Sequence, residues 1–116
     1  MLLQRGYSVM TDAQMILDDN YNSNNGSFAY FLQNKAVFNK EALRKLCEAI
    51  RLVADSGISL GQDALKINAI YGRTLKCFLY HFDAADPYAI TNLPKNYNKM
   101  IEQLEKTVQY YFSTRI

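Results

Sequence analysis

The chain holds one histidine and two cysteines, which leaves little of the usual equipment for metal or nucleophilic chemistry. Cys47 and Cys77 both sit within apolar patterns. Two isolated thiols with no leader ahead of them point to a reducing cytoplasm, not to a disulfide framework. The opening MLLQRGYSV has one arginine and neither the continuous apolar run nor the small-residue cleavage site of a secretory leader. No stretch approaches the apolar length of a membrane span. Neither sign of charge dominates: 13 basic residues against 11 acidic ones leave +2, too weak a bias to argue for nucleic acid. There is no internal repeat and no low-complexity tract. No segment alternates cleanly with period two, so a sheet is hard to build.

What remains is the pattern of a helical globule. The 116 residues fit one domain, and the balance of about half apolar and 21% charged residues is that of a folded chain. A chain of this length buries roughly two thirds of its unfolded surface and needs no staples.

The clearest helix is NKEALRKLCEAIRLVADSG. Asn39 is placed as N-cap and Gly57 as C-cap, and Leu43, Leu46, Cys47, Ile50, Val53 and Ala54 form one stripe. Lys45–Glu48 and Glu48–Arg51 are spaced for surface ion pairs. A second helix is expected from about Gln62 to Phe82, capped by Ser59 or Asp63. Its broad apolar face runs through Ile67, Ile70, Tyr71, Thr74, Leu75, Phe78, Leu79 and Phe82. Gly72 in its middle weakens it by about 1 kcal/mol relative to alanine and is expected to mark a close helix contact.

A last helix follows Pro94, with a stripe of Tyr97, Met100, Ile101, Leu104, Val108, Tyr111 and Phe112. A short helix is expected over 11–18, capped by Thr11 or Asp12. Met10 would serve as a second start, so residues 1–9 read as an extension outside a core domain of 10–116. FAYFLQNKAVF continues with helical spacing through Phe38, although it also fits a strand. The expected fold class is all-α, a single-domain bundle of four to five helices.

Polar chemistry concentrates in YHFDAADPY, residues 80–88. Cys77 and His81 lie four apart, on one helix face, as a thiolate–imidazole nucleophile would need. That chemistry also needs an oxyanion hole and a group to orient the histidine, and Asp83 points elsewhere on a continuing helix. As a metal site the pair offers two ligands where zinc takes three or four. Core packing is the better reading of Cys77. Asp83 and Asp86 have the residue types of an acid–base pair, but Asp-Pro is also a standard turn opening. Facing a partner is a third role, supported by a charge of −2 over 83–94.

Lys66, Arg73 and Lys76 form a basic edge on the second long helix, and the preceding DSGIS invites a helix-turn-helix reading. In such a motif the buried position six residues past the glycine is apolar, whereas here it is Asp63. A small DNA-binding regulator is therefore the runner-up.

The nine tyrosines carry more weight. Tyr21, Tyr30, Tyr80, Tyr88, Tyr97 and Tyr110 cannot all fit a core of this size, and tyrosine is enriched at protein interfaces. Tyr80 and Tyr88 flanking Asp83 and Asp86 make one candidate cluster. Tyr21 beside Asp19 makes a second.

The C-terminal third, LYHFDAADPYAITNLPKNYNKMIEQLEKTVQYYF, resembles small immunity proteins of bacterial contact-dependent growth inhibition systems. The likeness rests on the aromatic–His–Phe–Asp turn, Asp-Pro-Tyr, and Asn-Leu-Pro before the last helix with its Tyr-Asn start. It implies a cytoplasmic binding protein, not an enzyme, that occludes one cognate toxin domain, often a nuclease, with no metal, cofactor, nucleic acid or membrane involved. The anchors expected are Asp83, Asp86, Tyr88, Tyr80, Asp19 and Tyr21. Nuclease inhibitors of this kind commonly use dense acidic surfaces, and this chain is slightly basic. Recognition would therefore rest on the local acidic loops and tyrosines.

Overall fold

The structure, a computed structural model, describes residues 2–57 and 62–115, with side chains from Asp12 onward. The described residues form five helices and no strand: α1 (Leu2–Tyr21), α2 (Phe28–Asn34), α3 (Lys40–Ser56), α4 (Asp63–Phe82) and α5 (Tyr97–Ser113). The fold is an all-α bundle. α3 packs between α1 and α5, while α4 lies against α1, α2 and α5.

α3 starts and stops where its caps dictate. The Asn39 side chain accepts from the Ala42 N–H at 2.9 Å, and Gly57 ends the helix with φ +68°, a left-handed conformation that glycine adopts without strain. The exposed C-terminal carbonyls of α3 are then met from the far end of the chain. Arg115 donates to Val53 O at 3.0 Å and to Ala54 O at 3.3 Å, with its guanidinium over the Tyr111 ring. On the solvent face Arg44, not Lys45 or Arg51, takes the ion pairs, reaching Glu41 at 2.6 Å and Glu48 at 2.8 Å. Its hydrogen bond to Glu41 holds that carboxyl below its ordinary value.

α1 is longer than the 11–18 expected and is continuous through Thr11 and Asp12, so neither caps it. The extension expected over residues 1–9 falls on positions whose side chains lie outside the described residues. Buried Asn20 splints α1 to α2. It donates to Ile16 O at 2.9 Å and accepts from the Ala29 N–H at 3.0 Å, while Ser27 caps α2 by accepting from the Tyr30 N–H. α2 stops at Asn34, four residues before the apolar pattern ends. Ala36 takes φ +53°, and Phe38 turns into the core from a loop. There it meets Phe28 and Phe78 edge-on, with ring centroids at 5.5 and 6.2 Å.

Asp63 is the first residue of α4 and does not cap it; the N-cap is Gln62, without a side-chain bond. Asp63 is buried and accepts from Gln14 Nε2 at 3.1 Å, tying α4 to α1. Ser59, the other expected cap, lies outside the described residues.

Candidate protein-docking surface

The segment between α4 and α5 is fastened at almost every polar group. Asp83 closes a turn by accepting from the Ala85 N–H at 2.9 Å, and Asp86 closes another by accepting from the Tyr88 N–H at 2.8 Å. The Tyr88 hydroxyl donates to Leu32 O at 2.5 Å. His81 Nδ1 accepts from the Ile90 N–H at 2.9 Å, so a neutral ring carries its proton on Nε2. Thr91 N–H donates to Ala36 O at 2.9 Å. Asn92 then brackets Phe38, accepting from its N–H at 2.6 Å and donating to its carbonyl at 3.1 Å. Residues 83–92 are thus a strap that binds the end of α4 to the α2–α3 connection.

That arrangement decides the chemistry of Cys77. Its buried thiol faces the Tyr88 hydroxyl, and burial pushes the thiol above its ordinary value, against the direction that activates a nucleophile. Burial pushes the Tyr88 phenol up as well. His81 is occupied at Nδ1 by the strap. Among the described residues no group of three His, Cys, Asp or Glu side chains is placed to hold a metal ion.

The six anchors expected from the sequence differ in how far they are engaged within the chain. Tyr21 is half-buried beneath the guanidinium of Arg73, which also donates to its carbonyl oxygen. Asp19 holds the turn after α1 by accepting from Asn24 Nδ2 at 3.0 Å. Asp86 and Tyr88 are committed to the strap. Tyr80 and Asp83 remain exposed at the end of α4, and the second carboxylate oxygen of Asp83 has no partner among the described residues. Of the basic edge, Lys66 pairs with Asp18 at 2.5 Å and Arg73 is held by Tyr21, which leaves Lys76 facing solvent.

A feature missed by sequence reasoning lies beside Tyr80 and Asp83. α4 buries Ile67, Ile70, Thr74, Cys77 and Phe78. Leu75, Leu79 and Phe82, expected on that same face, lie outside it, with 38, 69 and 60% of their surfaces exposed. Leu65 joins them at 55%. Gly72 makes no close contact: a Cβ added there would meet nothing within 4 Å. At 100° per residue these positions fall on one arc opposite the core. Phe82 and Tyr97 of α5 lie 5.8 Å apart, extending the surface toward α5.

Single exposed leucines are unremarkable, but Leu75, Leu79 and Phe82 together on one arc make a candidate docking surface. The signal was present in the sequence as a second three-four repeat through Leu65, Asn68, Gly72, Leu75, Leu79 and Phe82. Merging it with the first produced one overly broad face.

Compared with family models, curated proteins and solved structures, the chain matches none. No described helix is long and apolar enough to cross a membrane.

Proposed function

We propose that this chain is a binding protein that neutralises a toxin domain by stoichiometric occlusion, in the manner of a contact-dependent growth inhibition immunity protein. The observation that carries the binding role is the exposed end of α4, where Leu79, Tyr80 and Phe82 adjoin the exposed carboxylate of Asp83. Apolar and aromatic anchors next to one accessible charge are the composition of an interface hot spot. The toxin assignment draws on the resemblance carried by residues 79–112. In this reading Leu79 and Phe82 enter an apolar recess of the toxin, and Asp83 takes a charge-assisted hydrogen bond from a basic group of its cleft. A nuclease domain, with cationic side chains arranged for phosphate, is a fitting target.

The test is to read the neighbouring reading frames for a toxin domain and co-express it with this chain, followed by calorimetry. A 1:1 complex that restores growth is expected. Leu79→Glu should weaken it by at least tenfold, as loss of a hot spot does. A toxin that keeps its activity with this chain in molar excess contradicts the proposal.

A further inference from the structure

α3 and α5 run side by side in the same direction. Arg115, just past the end of α5, donates to Val53 O near the end of α3, and Tyr110 donates to Asp55. Along their N-terminal halves the two helices part around a groove of about 410 Å³, within the size range of small-molecule sites. Its floor is apolar: Leu43 and Cys47 from α3, Met100 from α5. Burial pushes the Cys47 thiol above its ordinary value, so the floor carries no charge near neutral pH.

The rim is charged, and unevenly neutralised. Arg44 and Glu48 form a pair at 2.8 Å, and Arg44 also holds Glu41 at 2.6 Å. Asp55, one turn beyond the groove, accepts from the Tyr110 hydroxyl, and Glu102 of α5 pairs with Lys106 at 3.4 Å. Two cations are left over. The side chains of Lys40 and Arg51 line the groove and make no hydrogen bond or ion pair among the described residues. They share one side of α3 with Cys47, at intervals of seven and four residues, one at each end of the apolar floor.

We infer that this groove binds an amphipathic organic anion: an aliphatic carboxylate whose chain lies on Leu43, Cys47 and Met100 and whose head is taken by Arg51. Arginine is the better of the two cations for that task, because its planar fork meets both carboxylate oxygens at once. From Arg51 back to Leu43 is roughly 12 Å of helix, which an extended chain of about ten carbons spans. Lys40, at the other end, covers the tip of the chain with its own aliphatic stem and adds to a field that favours anions. An uncharged chain would gain only the floor, and a cationic one would meet like charge. The site uses no residue of the exposed end of α4 and does not rest on the toxin reading.

The test is methyl NMR of the full chain titrated with decanoate to about one millimolar. The Leu43 and Met100 resonances should shift to saturation, while those of Leu75 and Leu79 on the outward face of α4 stay fixed. Decanol and decyltrimethylammonium, at matched concentration, should each bind at least about tenfold more weakly. Arg51→Gln alters an exposed side chain, so it should keep its helical circular dichroism and lose about tenfold in affinity for decanoate. Lys45→Gln, which removes a cation outside the groove, should change nothing. Leu43 and Met100 signals that never move overturn the inference, as do Leu75 and Leu79 signals that move with them. So does decanol binding as tightly as decanoate, Arg51→Gln binding like the wild type, or an equal loss in Lys45→Gln.

Discussion

The inward and outward faces of α4 are built from the same residue types at the same spacing, yet they do different work. Ile67, Ile70, Thr74 and Cys77 are buried against α1, α2 and α5, and Thr74 satisfies its hydroxyl by donating to Ile70 O at 2.8 Å. Leu65, Leu79 and Phe82 are more than half in solvent, and Leu75 is exposed at 38%. Apolar periodicity specifies that a face packs, but not whether its partner belongs to the same molecule. Gly72 belongs to the outward face, where an added Cβ would meet nothing within 4 Å.

Stability measurements in dilute solution should split the faces by the largest margin. Ile70→Ala removes a fully packed side chain and should cost about 2–5 kcal/mol, read from urea denaturation. Leu79→Ala should change stability by no more than about 0.5 kcal/mol. Equal losses at the two positions would erase the distinction.

The strap gives the next effect. Asn92→Ala leaves the Phe38 N–H without its bond in a part-buried setting, which should cost about 1 kcal/mol. A neutral result would mean that residues 83–92 do not hold the end of α4.

Gly72→Ala meets no obstacle on the outward face. It should raise stability by about 1 kcal/mol through helix propensity, seen as a higher melting temperature.

The smallest effect is in pH. The Tyr88 phenol ionises less readily in the folded chain than in the unfolded one, because burial disfavours the phenolate. A group whose value is raised on folding stabilises fully below its unfolded value and loses that contribution as pH rises. Stability should therefore fall above about pH 10, and Tyr88→Phe should flatten that part of the profile.

Much of the fold is legible in the sequence because its local signals agree. Asn39 and Gly57 bound α3, the run 62–82 gives α4, and Pro94 precedes α5. The misreadings come from tertiary context. α2 ends at Asn34 because Ala36 turns left-handed and Asn92, 54 residues away, holds Phe38 in place. No window around Phe38 contains that information.

The candidate site was legible only in part. Rare polar residues drew attention to 80–88, and most of them proved to be strap fasteners; Tyr80 and Asp83 alone stay accessible. Asp19 and Tyr21 are engaged within the chain, by a turn and by a cation in contact with the Tyr21 ring. The outward arc of α4 was visible as spacing, but its exposure depends on which side of α4 the bundle takes.

Methyl NMR compares the two faces of α4 in one sample. As a toxin domain from the neighbouring reading frame is added, the methyl resonances of Leu65, Leu75 and Leu79 should move while those of Ile67 and Ile70 stay fixed. Outward-face signals that never move, or inward-face signals that move with them, would contradict the claim that α4 keeps one face for its own fold and offers the other to a second molecule.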